Sequence, residues 1–236
     1  EAPITPTGAA PAGTKPAVPA KPAQSVTAKV EDETRAAPKA AAPKAAGSGV
    51  IHQEMPKGGA DGRMGGFQLW ANLPSSLKMT KPRYQDIKSG DIPVVVDDDG
   101  TSVRVISGEF WGKAGPVDGI AAEPVYLDIS VPPGKRKTFP VDTYRSAFAY
   151  IFAGSGSFRD ASKPFGVKVE KEYMGEELNI RDLSGNRTLV VFDTGDEITV
   201  QAGEQGIRFL LVTGKPIKEP VAWHGPIVMN TREELM

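Results

Sequence analysis

His52 and His224 are the only imidazoles in the 236-residue chain, which contains no cysteine. The missing thiols exclude disulfides, thiolate zinc sites and cysteine nucleophiles. Two histidines leave no Ser/His/Asp constellation to argue from the sequence. His52 carries the sharper signal, because Glu54 follows two residues later. On a strand, residues i and i+2 share a face. The imidazole and the carboxylate would then converge on one point, as a metal site requires. Such a pair with open positions suits non-heme Fe(II), with Mn or Ni as lesser alternatives. By spacing alone the same pair reads first as a surface pair, and a metal site needs a third ligand from elsewhere. His224, in Trp223-His224-Gly225-Pro226, reads as a packed or exposed turn histidine before it reads as a ligand.

Three other groupings have plain readings. Lys135-Arg136-Lys137 after Pro132-Pro133-Gly134 is a solvated loop before it is an anion site. Asp97-Asp98-Asp99-Gly100 is a tight acidic turn, since the ligand-rich continuation of a calcium loop is missing. Gly154-Ser155-Gly156 is no phosphate loop, since neither Lys-Ser/Thr nor a helix follows. With 28 basic and 29 acidic residues, the net charge of −1 leaves no footprint for nucleic acid or an anionic membrane. No apolar run approaches the roughly 18 to 20 residues of a membrane span.

The elements that must hold these residues are strands. Val50–Met55 is a short strand closed by Pro56. Phe67, Leu69, Ala71 and Leu73 alternate along the next strand, which Pro74 stops. Val94–Val96 and Val103–Ile106 form a hairpin about the acidic turn. Gly112–Gly119 is a Gly/Pro-rich connection between two lobes. Val125, Leu127, Ile129 and Val131 alternate, and Ala147–Phe152, Thr188–Phe192, Ile198–Val200 and Ile207–Val212 are further strands. Gln201–Glu204 separates the last two. Val167–Val169 and Leu178–Ile180 are weaker strands. Short strands with Gly/Pro turns argue for an all-β sandwich or barrel, a jelly roll among them. Helical hints are confined to Ser75–Lys78 and Thr231–Leu235, the latter with Asn230 or Thr231 as N-cap.

Residues 1–49 differ in kind. They hold 15 Ala, 8 Pro and 5 Lys, and all 17 aromatic residues of the chain lie at or after Phe67. Such a head cannot bury enough apolar surface to offset its ordering entropy, so it reads as a disordered or extended tether. The chain opens on Glu1 rather than Met and stops as a helix begins. Both features read as signs of a processed or partial product.

Longer motifs carry a resemblance. His52-Gln53-Glu54-Met55-Pro56, Gly65-Gly66-Phe67-Gln68-Leu69-Trp70-Ala71-Asn72-Leu73-Pro74, Pro82-Arg83-Tyr84-Gln85 and the stretch from Pro220 to Thr231 are similar to the pirin family. The resemblance runs from about Gly47 to Met236. It implies a bicupin, two jelly-roll β-barrels packed face to face. In the family, the first barrel holds Fe(II) with three histidines and a glutamate. His52 and Glu54 match one histidine and the glutamate, and Glu54 is also the residue to which a catalytic role would fall. The other two histidines belong to an early His-x-His strand, and the head contains no histidine. The reading is therefore an all-β bicupin with an incomplete first lobe behind an Ala/Pro/Lys-rich head. The head covers 1–49, the remainder of the first cupin 50–118 and the second cupin 119–219. A C-terminal segment at 220–236 packs back on the first lobe. Two ligands from one strand would hold iron weakly, so the metal is expected to be loose or absent in this chain. The second barrel is expected to be metal-free, with Phe139, Tyr144 and Phe148 where a cupin would place ligands.

The resemblance also implies function. Some pirins are quercetinases, dioxygenases that open the flavonol ring with O₂, and the cofactor implied is Fe(II) or another divalent metal. The alternative is a non-catalytic protein whose iron state tunes transcriptional partners. The implied partners are a flavonoid-like small molecule or a protein, with no direct nucleic-acid binding and no membrane. The expected location is the cytoplasm, and the nucleus too in a eukaryote.

Overall fold

The computed structural model describes residues 44–45, 47–49, 62, 65–158, 172–173, 176–177 and 184–236. The predicted strands at Val50–Met55, Val167–Val169 and Leu178–Ile180 lie outside these residues. The rest bears out the all-β class. One eight-stranded sheet contains β1 (Val94–Val96), β2 (Ser102–Ser107), β3 (Val125–Val131), β4 (Arg136–Pro140), β5 (Ser146–Ser157), β6 (Ser184–Gly185), β7 (Thr188–Val191) and β8 (Glu197–Gly214). Its order is β6-β5-β8-β3-β2-β1, with β7 also pairing β5 and β4 also pairing β8. Every pairing is antiparallel.

β8 curls the sheet. Its start, Glu197–Gln201, pairs with β4. Its end lies between β3 and β5, with Phe209 opposite Ile129 on one side and Ile151 on the other. Gln201–Glu204, expected to separate two strands, instead falls at a register shift inside one strand, between Ala202 and Ile207. Two glycines permit it. Gly154 and Gly206 have φ of +66° and +75°. A Cβ on Gly154 would sit 2.1 Å from the Gly206 carbonyl oxygen. Only a residue without a Cβ lets the two strands cross that closely.

The central strands are buried on both faces. On one face, Val103, Val105, Leu127, Ile129, Val131, Ala149, Ile151, Phe209 and Leu211 join Phe139 and Phe158 in the main core. On the other, Ile106, Tyr126, Leu210 and Val212 form a second core with Ile92, Val117 and Ile120. The period-2 alternation of β3 thus has apolar residues in and a second, mixed set beneath another layer. That layer is the stretch around Phe67–Leu73. Phe67, Leu69 and Ala71 pack on the second core with Phe148, Tyr150 and Phe152. Phe67 stands edge-on to Tyr150, with ring centroids 5.6 Å apart. The stretch was expected to be a strand, and the structure corrects this. It is a strap with a single bridge residue at Trp70, and among the described residues its alternate side chains hold it to the second core.

The hairpin about Asp97-Asp98-Asp99-Gly100 forms as expected, Gly100 N–H donating to the Asp97 carbonyl at 2.9 Å. Lys137 is not the solvated loop residue its neighbours suggested. It lies on β4, and its ammonium pairs with Asp97 and with Asp99 and rests 5.3 Å from the Trp111 ring centroid. The hydrogen bond from Lys137 is the main reason the Asp97 carboxyl is held below its ordinary range. Part of the head is also tied down. Lys44–Ala45 pairs with Arg83–Tyr84, and Ser48 N–H donates to the Thr80 carbonyl at 2.8 Å.

Candidate functional site

The strap and the C-terminal segment are fastened together. After Pro74 the chain turns through a short 3-10 helix, Ser75–Leu77. This delivers Lys78 into the interior, where the residue is 2% exposed. Its ammonium donates to Asn72 Oδ1 at 2.9 Å and to the Leu73 carbonyl at 2.8 Å. Burial pushes the ammonium below its ordinary pKa, and the charges of Glu219 and Glu234 partly offset the shift. Glu219 accepts from Ser75 N–H at 2.6 Å and from Asn230 Nδ2 at 2.9 Å. The Ser75 bond is the leading reason its carboxyl is held low. Glu234 accepts from the N–H groups of Asn230 and Thr231, each at 2.9 Å. The expected helix at the end is one 3-10 turn, Glu233–Leu235.

Next come β9 (Ala222–His224) and β10 (Ile227–Met229), a hairpin. β9, with Asn230–Arg232, Leu235 and Met236, borders an open depression of about 640 Å³ that includes Trp223 and His224. His224 is exposed, as one of its two plain readings expected. A second clamp uses Arg83 and Gln85. Gln85 Nε2 donates to the Asp118 carbonyl at 2.8 Å, and Arg83 donates to Asp118 Oδ1 at 2.6 Å.

A polar cluster lies under the strap on the second face of the sheet. Arg208 forks onto Asp128, Nε to Oδ1 at 3.0 Å and an Nη to Oδ2 at 2.8 Å. Asp128 is fully enclosed, its side chain 1% exposed. The guanidinium also lies 5.1 Å from the Phe152 ring centroid. Sequence reading passed over this pair. The signal was a charge inside each of two apolar runs, Tyr126-Leu127-Asp128-Ile129 and Ile207-Arg208-Phe209. Among the described residues, the Tyr126 hydroxyl, buried nearby, has no hydrogen-bond partner. Burial among apolar side chains, and then the charge of Asp128, hold it far above the ordinary phenol range. An orphaned buried hydroxyl costs stability. Tyr126→Phe should therefore raise stability by about 1 kcal/mol, read from the urea midpoint at unchanged slope. A lowered midpoint would mean that the hydroxyl has a partner.

His52 and Glu54 lie outside the described residues. Among those residues, no three His, Cys, Asp or Glu side chains gather as metal ligands. Of the three aromatic residues expected at ligand positions of the second barrel, Phe139 alone lines its interior. Tyr144 is 86% exposed, and Phe148 faces the second core. Phe158 and Phe209 join Phe139 instead, with Phe209 centroids 6.0 Å from Phe139 and 5.4 Å from Phe158. Rings, not ligands, fill this barrel.

Residues 126–236 match the model of the pirin C-terminal cupin domain. A pirin-like protein of Caulobacter vibrioides is 41% identical over 192 residues, covering 81% of this chain and 61% of that protein. A Thermoplasma acidophilum protein named "Putative quercetin 2,3-dioxygenase Ta0133" is 31% identical over 208 residues, covering 81% of this chain and 72% of that protein. The chain belongs to the pirin family. Among solved structures, a quercetin 2,3-dioxygenase from Acinetobacter baumannii aligns with a TM-score of 0.57 at 29% identity, over 71% of this pirin and 51% of that chain. The fold is therefore that of the cupins, as expected. This pirin spans about three fifths of the length of the first curated relatives it matches. No helix among its described residues is long and apolar enough to cross a membrane.

Proposed function

We propose that this pirin serves a metal-dependent dioxygenase acting on flavonol-like substrates. His52 and Glu54 supply an imidazole and a carboxylate to Fe(II) or another divalent cation in the first lobe. A bound cation would supply the redox chemistry with O₂ that organic side chains lack. Residues 50–118 belong to that lobe, 119–219 to a structural second cupin, and 220–236 fold back on the first lobe. The Glu219–Ser75 hydrogen bond of 2.6 Å supports this last assignment. The observation that carries the reading is the filled second barrel. Phe139 and Phe209 are fully buried there, so ligand chemistry is left to the first lobe. Relatives named as quercetin 2,3-dioxygenases support the substrate class.

The test is anaerobic Fe(II) reconstitution of the full chain, followed by quercetin consumption and O₂ uptake. Near-stoichiometric iron and flavonol turnover in the wild type, both lost in His52→Ala, support the reading and mean that another group completes the ligand set begun by His52 and Glu54. Retained iron without turnover favours a non-catalytic iron-dependent binding protein. No retained iron in either protein defeats the metal assignment.

A further inference from the structure

We infer that the open edge of the sheet, β1, is a self-association surface whose partner is a second copy of this chain, paired antiparallel about Val95. The inference is independent of the dioxygenase reading. It begins with the parity of the hairpin. Val105 N–H donates to the Pro93 carbonyl and Asp97 N–H to the Thr101 carbonyl, each at 2.9 Å. Val95 lies opposite Val103 in the same register. In an antiparallel ladder alternate residues turn their N–H and C=O toward the neighbouring strand, so Val94 and Val96 turn theirs outward. β1 ends the strand order and, among the described residues, pairs with β2 alone. Among those residues, neither valine makes a hydrogen bond beyond that hairpin. Val94 is 49% and Val96 63% exposed.

The open stretch is short, and its donors are closed off at both ends. Pro93 has no N–H. The Ile92 N–H is spent on the Ser89 carbonyl at 3.3 Å, and the Asp98 N–H on Asp97 Oδ1 at 2.7 Å. What remains is one N–H and one C=O on each of Val94 and Val96, placed symmetrically about Val95. A two-fold axis at Val95 sets Val94 of one copy opposite Val96 of the second, so every one of these groups finds a partner. The exposed side chains of Val94 and Val96 share a face, and the pairing packs valine on valine there. Edge strands are ordinarily kept apart by a charge or a bulge, and Val94–Val96 carries neither. The acidic turn at its end would repel a copy, but the Lys137 ammonium pairs with both Asp97 and Asp99. The two-fold also sends the two turns to opposite ends of the pairing. So short an edge gives a weak dimer that forms with rising concentration.

The experiment uses the full chain, whose lack of cysteine makes cross-linking specific. Sedimentation equilibrium should show a mass that rises with concentration from 25.1 kDa toward twice that value. Val96→Lys should weaken association at least about tenfold, with the urea midpoint unchanged because the side chain faces solvent. Val95→Cys should give a disulfide-linked dimer on mild oxidation, since the two-fold sets this residue against its own copy. Val94→Cys should not, since its copy lies on a diagonal about 7–8 Å away, beyond the reach of a disulfide. A chain that stays monomeric up to about 1 mM overturns the inference. So does a dimer that Val96→Lys leaves intact, or one that Val94→Cys cross-links and Val95→Cys does not. Val94 and Val96 amides protected from hydrogen exchange in a monomeric chain also overturn it, and make another segment of this chain the occupant of the edge.

Discussion

Arg208→Met should destabilise the folded chain by about 3 kcal/mol. The change removes the fork that satisfies both oxygens of Asp128 and leaves a carboxylate enclosed beneath the strap. The loss is large because an enclosed carboxylate loses two charge-assisted hydrogen bonds, and not because the pair itself is strongly stabilising. Taking two ions out of water costs nearly what their attraction returns. The double variant Asp128→Leu with Arg208→Met should therefore recover most of the loss. Urea unfolding of the two singles and the double forms the cycle that measures this coupling. A single variant that costs less than about 1 kcal/mol would place the pair in a solvated setting and defeat the argument. The pair also records register, since Asp128 faces Leu210 across β3 and β8, and Arg208 faces Ser130. A slip of β8 by one residue would turn Arg208 toward the aromatic core and away from Asp128.

Phe209→Ala should cost about 4 kcal/mol. Phe209 is fully buried and meets the rings of Phe139 and Phe158 edge-on, with interplanar angles of 79° and 87°. Truncation removes the ring's transfer energy and leaves a void that two flanking strands, each fully paired, cannot close. Phe209→Leu keeps most of the volume and should cost less than half as much. The check is the shift in urea midpoint at constant slope. Equal losses for the two substitutions would mean that the barrel relaxes freely around this position and that the rings do not define its interior.

Much of the eight-stranded sheet was legible one strand at a time. The alternation of Val125, Leu127, Ile129 and Val131, the hairpin about Asp97–Gly100 and the run at Ile207–Val212 each announce a strand. Side-chain period and turn chemistry are local properties, and the chain carries them without its neighbours. Family membership was legible too, because motifs such as Phe67–Pro74 and Trp223–Pro226 are long and ordered along the chain.

Other features depend on partners far away in sequence. Nothing local distinguishes the strap at Phe67–Leu73 from a ladder strand, since both alternate. The difference is how much backbone pairing runs along the segment, and among the described residues side chains on the second core do the holding. The Gln201–Glu204 stretch has turn composition, yet the close crossing at Gly154 and Gly206 carries it through as one strand. Lys137 reads as solvated until Asp97 and Asp99, some forty residues earlier, are brought against it. The same holds for Asp128 and Arg208, eighty residues apart. The sequence alone determined the class, the strands and the family. Tertiary structure decided which charges are neutralised and which face of the strap is buried, because burial and charge pairing are properties of neighbours in space.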